Sequence, residues 1–493
     1  MILFFNPLST TPGKQPLPLS ILSLAAIVEK PRRWALVDGN VTADPAAAII
    51  SRLAAVPSGE GALLAVTVMP GPQLSQAVPV CKAVRRARPD VRIVWGGYFP
   101  TQHSDTVLRS SDVDFVVRSQ GEAPLRQLLD VLERGETPAA VSGLSWKLPD
   151  GTIVHNPVGA SIPLDDLPDL PYEQVAMEDY IHPTCLGRRT VAHNSSFGCP
   201  FACSFCAVVA MSNRRWLAQS PARVERVLAR LTRDYRVDAV QMHDMDFFIS
   251  EARVAEIAER ITPLGLSWWG LGRIDTLMQY SDDTFRKMAR SGLRMVFSGA
   301  ESASDATLKT MNKGGKAAAH LAIELAARMR HHGIVPEYSF VLGSPPDPLT
   351  DMAQTFEYIR RIKTVNPATE VVLYTYTPVP LDGTMYAEAA RLGFAFPETL
   401  DEWASDRWRQ AMMRRGEHIP WMDGSVRTRV RNFERVLNAY YPTATDRRLT
   451  PALRTILRAV SSWRYALRMY AAPYELRAIQ KFIHYQRPET TGF

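Results

Sequence analysis

The sequence predicts an α/β protein with two parallel-sheet domains, followed by a mostly helical C-terminal region. Over residues 1–140, short apolar runs rich in β-branched and aromatic residues alternate with helical stretches. This alternation is typical of a doubly wound, Rossmann-like sheet. After residue 188 the alternation resumes with longer repeats, and six βα units of that kind predict a partial (β/α)6 barrel of the TIM type.

Five apolar runs predict the strands of the first domain, at residues 2–5, 34–37, 63–68, 91–95 and 115–117. Ligands of such sheets bind at the carboxyl ends of the strands, so the loops that follow are candidate binding segments. Glycines in two of these loops would let a bulky ligand approach the backbone. The candidate contacts are Met69, Gly71, Gln73, Gly96 and Gly97.

A hairpin around Pro149-Asp150-Gly151 and a proline-rich linker separate the two domains. We predict a first domain at 1–140, hairpin and linker at 141–187, the barrel at 188–390 and the C-terminal region at 391–493. The barrel strands are expected near residues 190–196, 238–243, 266–271, 294–299, 336–342 and 370–376. Chemistry in such barrels collects at the carboxyl ends of the strands.

The composition is that of a globular protein from a reducing compartment. Of 493 residues, 46% are hydrophobic and 22% are charged. Five cysteines, three of them clustered, do not form a disulfide framework, so we expect a cytoplasmic location. The apolar N-terminus breaks at Asn6-Pro7, which predicts a first strand rather than a signal peptide. A net charge of +7 favours anionic ligands or surfaces without naming one.

Three cysteines follow the first barrel strand in a C-x3-C-x2-C run: Cys199, Cys203 and Cys206. Three thiolates on one loop can bind three irons of a four-iron, four-sulfur cluster and leave the fourth iron open to an exogenous chelator. The spacing alone leaves two alternatives. One is a tetrahedral zinc site with His182, Cys185 or His193 as fourth ligand. The other is that the cysteines are buried apolar side chains.

With an aromatic residue before its last cysteine, the run resembles the signature of the radical S-adenosylmethionine (SAM) superfamily. The resemblance implies that SAM is the chelator and that Phe205 lies near its adenine. A position directly after a barrel strand further disfavours zinc. Polar residues at the later strand ends also match the superfamily, and the resemblance assigns SAM contacts to Asp244, Asp246, Arg273, Glu301 and Ser302.

The first domain resembles the cobalamin-binding domain that precedes many radical SAM barrels. It departs from that family at Ser119-Gln120, where Gly-Glu is common, and it has no Asp-x-His-x-x-Gly motif. We therefore expect cobalamin to bind without an axial histidine from the protein, with His103 as the one nearby imidazole that could alter this. An ordinary Rossmann-like domain without cobalamin is the alternative.

Together the resemblances imply a cobalamin-dependent radical SAM methyltransferase. Such an enzyme would generate a 5′-deoxyadenosyl radical under anaerobic conditions and methylate an unactivated carbon of a small or lipid-like substrate. Its expected partner is an external one-electron donor such as flavodoxin or ferredoxin; nucleic acid is not expected. Two rivals stay open: a radical SAM oxidative cyclase acting on a tetrapyrrole-like substrate, and a non-catalytic cobalamin or redox sensor. No catalytic residue is assigned beyond the cofactor contacts.

A helix is predicted over residues 453–470, ended by Pro473. One face carries Ile456, Val460, Trp463 and Leu467, and another carries Arg454, Arg458, Arg464 and Arg468. Two interpretations remain for this pattern. The apolar face packs on the barrel with the arginines in water, or the basic helix lies on an anionic membrane surface as a peripheral contact.

Overall fold

The computed structural model describes residues 1–11, 13–59, 61–313, 318–345, 347–381, 384–411, 419–422, 424–443, 445–446 and 449–485. Within these residues, a seven-stranded sheet in the first third of the chain is followed by a six-stranded parallel sheet. The predicted α/β fold class is confirmed. The exact domain boundaries stay a prediction.

The first sheet follows the doubly wound plan. Its strands are β1 (Ile2–Asn6), β2 (Trp34–Asp38), β3 (Leu63–Thr67), β4 (Arg92–Gly96), β5 (Phe115–Val117), β6 (Leu144–Lys147) and β7 (Ile153–His155). The order is β2-β1-β3-β4-β5-β6-β7, with β1 to β5 parallel. The predicted hairpin is present as β6 and β7, and it pairs antiparallel with β5, so it extends this sheet.

Helices cover both faces of the first sheet. They are α1 (Leu19–Ala26), α2 (Pro45–Ala54), α3 (Pro72–Ala87), α4 (Tyr98–Gln102), α5 (Ser104–Arg109) and α6 (Glu122–Arg134). One apolar cluster lies under α2 and α3 and a second under α1 and α6. Side chains of the short, almost fully apolar strands fill both clusters, which explains why these strands do not alternate polar and apolar residues.

The second sheet is the predicted partial barrel. Its strands are β8 (Thr190–His193), β11 (Ala239–Met242), β12 (Ser267–Leu271), β13 (Leu293–Glu301), β14 (Val335–Leu342) and β15 (Glu370–Thr375). They are parallel and neighbours in that order. A separate antiparallel pair, β9 (Ser196–Gly198) and β10 (Trp216–Ala218), flanks the cysteine loop.

The helices of the barrel follow its strands. They are α7 (Val208–Ser212), α8 (Pro221–Tyr235), α9 (Glu251–Ile261), α10 (Ile274–Leu277), α11 (Asp282–Arg290), α12 (Asp305–Thr310), α13 (His320–His331) and α14 (Pro348–Val365). Several begin at a serine that accepts a hydrogen bond from the first helical turn, as Ser220 does for α8 and Ser250 for α9.

The C-terminal region is helical in its described parts and reaches back to the first domain. Its helices are α15 (Thr384–Arg391), α16 (Leu400–Ala404), α17 (Asp406–Ala411), α18 (Gly424–Tyr440), α19 (Pro451–Ala466) and α20 (Tyr474–Gln480). Helix α16 packs on α3, where Lys82 forms a 2.5 Å ion pair with Asp401. Trp403 of α16 is buried in an apolar cluster of the first domain.

Helix α19 ends earlier than predicted and is turned the other way. Arg468 adopts a left-handed backbone (φ 58°) just after the helix, so the chain turns before Pro473. Arg464 is buried and donates to the carbonyls of Met469 and Ala471. The expectation that the apolar face packs inward was wrong for most of that face. Ile456, Trp463 and Leu467 are 52%, 44% and 66% exposed.

Among the described helices, none is both long enough and apolar enough to cross a lipid bilayer.

Candidate functional site

The cysteine loop lies at the carboxyl end of the first barrel strand, as predicted. It begins at Gly198, which has φ 82° and where a Cβ atom would lie 2.1 Å from the Arg215 carbonyl oxygen, so no larger residue fits. Ser204 N donates to Met311 O, and the Asn312 amide donates to Ala202 O, each at 2.9 Å. The loop is therefore fixed against the segment that follows β13.

The donor set suits a cluster better than a single ion. Burial raises the pKa of Cys199 to about 12 and that of Cys206 to about 11, so these thiols need the positive charge of bound iron to ionise at neutral pH. Across the described residues, no three His, Cys, Asp or Glu side chains, the three loop cysteines included, form a preformed site for a single metal ion. His182 faces the Gln15 carbonyl and Cys185 is exposed. These positions do not support the zinc alternative.

Arg273 lies against the cysteine loop. Its guanidinium donates to Cys203 Sγ at 3.4 Å, pairs with both oxygens of Asp275 and stacks on the Phe201 ring at 3.8 Å. The sequence pattern did not reveal the role of Asp275, which lies two residues after the arginine and holds it in place. A buried, oriented guanidinium beside the loop can bind a carboxylate.

Glu301 ends β13 and forms a buried ion pair. Lys313 Nζ lies 2.6 Å from Glu301 Oε1, and the two side chains are 8% and 7% exposed. Glu301 has φ 62°, an uncommon conformation for a residue with a Cβ atom. The Lys313 ammonium also lies 5.8 Å from the centre of the Phe205 ring. Lys313 was missed because it stands twelve positions after Glu301 and outside any strand-end motif.

Asp246 is a third buried polar group in this area. Burial raises its pKa to about 7, and the nearby Arg273 and Lys313 oppose that rise. Its carboxylate also influences Cys199, which places it on the cluster side of the barrel mouth. Among the described residues its Oδ2 atom has no hydrogen-bond partner. It is therefore available to a polar ligand.

Two predicted SAM contacts instead support loops. The Asp244 carboxylate accepts from Ser195 N at 3.0 Å and from the hydroxyls of Ser195 and Ser196, and so holds the segment that enters the cysteine loop. The Ser302 hydroxyl donates to Asp351 at 2.6 Å and secures the turn after Glu301. The structure thus brings Phe205, Asp246, Arg273 and Glu301 to the cysteines, while Asp244 and Ser302 bond neighbouring segments and their contact with SAM stays a prediction.

A large cavity lies between the carboxyl ends of the first sheet and the barrel. Its empty space, together with the part open to solvent, is about 1370 Å³, and Gly96 and Gly97 line it. A Cβ atom at Gly97 would lie 3.2 Å from Thr67 Oγ1, and its φ of 98° also favours glycine. The cavity sits where a doubly wound sheet binds its ligand.

The other three predicted contacts of the first sheet lie outside this cavity. Gln73 is buried, and its amide bonds Met69 N, Asn6 Oδ1 and the Pro7 carbonyl, so it joins two strand-end loops. Met69 is 52% exposed and Gly71 begins α3 with φ 88°. These residues shape the rim of the sheet edge.

A second cleft connects the two halves of the molecule. Pro70, Tyr98 and His103 of the first domain face Phe205 and Ala207 of the cysteine loop across it. The charge of Cys206 contributes to raising the Tyr98 pKa, although burial is the larger cause. Tyr376, Phe396 and Trp403 complete the wall. The cysteine loop and the first sheet therefore open onto one shared space.

His103 is held in this cleft by aromatic rings. Its ring centre lies 5.0 Å from Phe99, 5.1 Å from Phe396 and 4.8 Å from Trp403. Burial lowers its pKa to about 4, so the ring is neutral at pH 7. The sequence could not show that Phe396 and Trp403, nearly 300 positions downstream, form this enclosure.

Comparison with known proteins agrees with this geometry. The B12 binding domain family matches residues 7–129, and the Radical SAM superfamily matches residues 193–359. An uncharacterized methyltransferase of Pyrococcus horikoshii is 26% identical over 352 residues, spanning 70% of this chain and 73% of that protein. The anaerobic magnesium-protoporphyrin IX monomethyl ester cyclase of Synechocystis is 27% identical over 255 residues, about half of each chain (51% and 50%).

A solved structure has the same overall fold. The cobalamin-dependent SAM radical enzyme OxsB, determined with aqua-cobalamin and SAM bound, superimposes with a TM-score of 0.69 at 16% identity, over 98% of this chain and 75% of that one. The radical SAM methyltransferase TsrM from Kitasatospora setae, solved with cobalamin and a 4Fe-4S cluster, superimposes with a TM-score of 0.63 at 18% identity, over 79% of this chain and 77% of that one. The cofactors expected from the sequence, a four-iron, four-sulfur cluster, SAM and cobalamin, agree with the two matched families and with these structures. The chain therefore carries a B12-binding domain followed by a radical SAM domain, in the order that the sequence predicted.

Proposed function

We propose that this enzyme is a cobalamin-dependent radical SAM methyltransferase that methylates an unactivated carbon of a small or lipid-like substrate. One observation carries the proposal: the cysteine loop and the B12-binding domain face each other across a single cleft. When bound, the cluster and SAM supply a 5′-deoxyadenosyl radical, and cobalamin supplies the methyl group. Similarity to a methyltransferase over 70% of the chain supports methylation as the outcome.

We propose that different residues around the cysteines bind different groups of SAM. In this proposal Arg273 and Lys313 provide positive charge for its carboxylate, while Glu301 and Asp246 accept hydrogen bonds from its amino and hydroxyl groups. Phe205 offers a ring for the adenine. Asp244 and Ser302 are positioning residues, because their hydrogen bonds are already taken by Ser195, Ser196 and Asp351.

The cleft also indicates the class of substrate. Several aromatic residues line it, including Tyr98, Phe205 and Phe396, together with threonine and proline residues that follow β15. Among the described residues, Tyr376 Oη and Trp403 Nε1 are buried without a hydrogen-bond partner. We propose that the substrate is flat or apolar and that at least one of its oxygen atoms accepts a hydrogen bond from these donors. The aromatic walls also exclude water from the reacting radical.

Oxidative cyclisation is the second candidate, because a magnesium-protoporphyrin ester cyclase is similar over half of this chain. The deciding experiment incubates reconstituted holoenzyme with reductant, deuteromethyl-labelled SAM and extract of the source cells. A product heavier by one labelled methyl group is expected. Loss of hydrogens without label would establish the cyclase instead. If 5′-deoxyadenosine does not form at all, a non-catalytic cobalamin or redox sensor is the better description.

The reaction needs an external one-electron donor, and we propose flavodoxin or ferredoxin in an anaerobic cytoplasm. A reduced flavodoxin should replace dithionite in forming 5′-deoxyadenosine. If only dithionite supports the reaction, this class of partner is wrong.

We also propose a peripheral contact with anionic lipid through the C-terminal helices. Of ten exposed large hydrophobic side chains in the described chain, six lie between residues 456 and 482: Ile456, Trp463, Leu467, Met469, Tyr474 and Phe482. Arg458, Arg477 and Lys481 are exposed in the same segment. Apolar residues flanked by basic ones suit the interface of an anionic bilayer.

Vesicle sedimentation tests this contact. The protein should bind phosphatidylglycerol vesicles more than phosphatidylcholine vesicles, and Leu467→Ser with Phe482→Ser should abolish the difference. Leu349→Ser, at an exposed leucine of α14, is the matched control. Equal binding to both vesicle types, or self-association of the wild type removed by the same double variant, would reject the lipid proposal.

A further inference from the structure

His193 ends the first barrel strand and has no role in the site described so far. Its side chain is 1% exposed, yet among the described residues neither ring nitrogen has a hydrogen-bond partner. A buried imidazole without partners loses the hydrogen bonds it would make in water, typically about 1–3 kcal/mol for each unsatisfied group. Such a residue is expected to meet a partner that arrives with a ligand.

The ring lines the large cavity between the two domains, opposite Gly96 and Gly97 of the B12-binding domain. It therefore faces a ligand of the first domain while belonging to the second. Gln219, between β10 and α8, lines the same wall next to His193, and its Oε1 atom has no geometrically formed hydrogen bond in the described part of the chain. Two barrel residues thus present unsatisfied polar atoms to one cavity.

Two other polar side chains on the first-domain side of the cavity are already engaged. Glu122 accepts from Ser23 at 2.5 Å, and Gln120 bonds both backbone groups of Ile162. Much of the remaining wall is apolar, including Val66, Val117 and Leu125. The cavity consequently suits a flat apolar ring that has a single polar edge near His193.

The lower nucleotide of cobalamin has this chemistry. Its dimethylbenzimidazole is a flat apolar ring, and when the base is not bound to cobalt one ring nitrogen keeps a free lone pair. We propose that His193 donates a hydrogen bond to that nitrogen, while Gln219 Oε1 accepts from a ribose hydroxyl of the same nucleotide. The barrel domain then selects cobalamin with an intact nucleotide, which the B12-binding domain alone would not do.

The position of His193 also connects this contact to the cluster loop. The Asn194 amide, with its nitrogen directed inward, bridges the carbonyls of His193 and His243 at 3.2 Å each. Ser195 and Ser196 follow and bind Asp244, and Cys199 comes three residues later. A nucleotide seated against His193 therefore rests on the segment that leads into the cluster.

The test compares the affinities of the full-length protein for cobalamin and for cobinamide, which lacks the nucleotide, by equilibrium dialysis. Wild type should bind cobalamin more tightly. His193→Phe should weaken cobalamin about tenfold, as expected for one lost hydrogen bond, and leave cobinamide unchanged. His193→Gln, which keeps a donor, should restore part of the preference. His182→Gln is the control, because that imidazole bonds the Gln15 carbonyl outside the cavity.

If His193→Phe lost affinity for cobalamin and for cobinamide equally, the residue would have only a structural role. If its affinity for cobalamin were unchanged, the residue would make no contact with the nucleotide. Either result overturns the proposal. If His193→Phe does not fold, as judged by circular dichroism, Gln219→Leu provides the same comparison and should reduce only cobalamin affinity. Paramagnetic resonance of wild-type cob(II)alamin that shows the base still bound to cobalt would also overturn it.

Discussion

The ammonium of Lys313 lies 2.6 Å from the carboxylate of Glu301, and both side chains are buried beside the cysteine loop. Removing one partner leaves an uncompensated buried charge, which typically costs about 3–5 kcal/mol. Because this pair adjoins the residues proposed to hold SAM, we expect it to couple the stability of the strand end to cofactor binding.

Lys313→Met should therefore lower both SAM affinity and the free energy of unfolding, whereas Lys313→Arg should retain part of each. Lys309→Met, at an exposed lysine of α12, should behave as wild type. Equilibrium dialysis with labelled SAM and denaturant unfolding give the two values. If Lys313→Met bound SAM with wild-type affinity, Lys313 would not be a SAM contact.

Glu301→Ala and Arg273→Ala should each weaken SAM about ten- to a hundredfold, the equivalent of about 1.5–3 kcal/mol for a lost charge-assisted hydrogen bond. The cluster's absorption spectrum should survive both changes, because neither residue is a ligand. Unchanged affinity in both variants would refute the assignment of these strand ends to SAM.

Gly299→Ala should disrupt the ion pair between Lys313 and Glu301, because the added methyl group would crowd both side chains. A Cβ atom there would lie 1.8 Å from Glu301 Oε1 and 2.6 Å from Lys313 Nζ, so the ion pair must shift. We expect loss of SAM binding with the secondary structure retained. Gly424→Ala is the control, because its Cβ would meet only an Arg427 atom 3.9 Å away. Normal SAM binding in Gly299→Ala would show that the pair can move without consequence.

Replacing Cys199, Cys203 or Cys206 by alanine should abolish cluster assembly and reductive cleavage of SAM. Cys81 and Cys185 should be dispensable for the cluster, since one is buried against Trp95 in the first domain and the other is exposed. Iron and sulfide analysis after anaerobic reconstitution measures this. A Cys185→Ala protein without a cluster would mean that the ligand set is wrong.

Bound cob(II)alamin should give a paramagnetic resonance signal without splitting by a protein nitrogen. The His103 ring, the nearest imidazole of the first domain to the shared cleft, is held against Phe99, Phe396 and Trp403. Nitrogen splitting that disappears in His103→Ala would show that this histidine is an axial ligand.

Trp403→Ala should destabilise the protein by about 3–5 kcal/mol, because the ring is 2% exposed and packs on Phe99. Trp463→Ala, at a ring that is 44% exposed, should change the free energy of unfolding by about 0.5 kcal/mol or less. Urea unfolding followed by circular dichroism compares the two. Similar losses in both would contradict the packing of α16.

Most of the fold was predictable because its signals are local. The five parallel strands of the first sheet and the six of the barrel lie within a few residues of their predicted positions, since each is a short apolar run between helical stretches. The orientation of helix α19 stayed open between two interpretations, because periodicity identifies an amphipathic helix but does not reveal which face finds partners. In the structure Arg464 is buried and donates to two backbone carbonyls, whereas Trp463 and Leu467 are exposed.

The part of the candidate site that was predictable consists of residues in sequence motifs or at strand ends. The cysteines stand together in sequence, and Arg273 and Glu301 each end a strand. Lys313, Asp275 and His193 lacked such a pattern, and only the folded chain brings the first two to the cysteine loop and His193 to the large cavity. Strand-end position was also not enough to assign a role, since Asp244 and Ser302 bind neighbouring loops.

The return of α16 to the first domain has a consequence for how this protein can be divided. Trp403 and the pair between Lys82 and Asp401 join a segment near residue 400 to a helix near residue 80. A fragment that stops at residue 390 would leave Phe99 and His103 without the rings that cover them. The isolated cobalamin module would therefore expose an aromatic surface that is prone to aggregation. Exchanging this module between relatives should succeed only when the segment carrying α16 is exchanged with it.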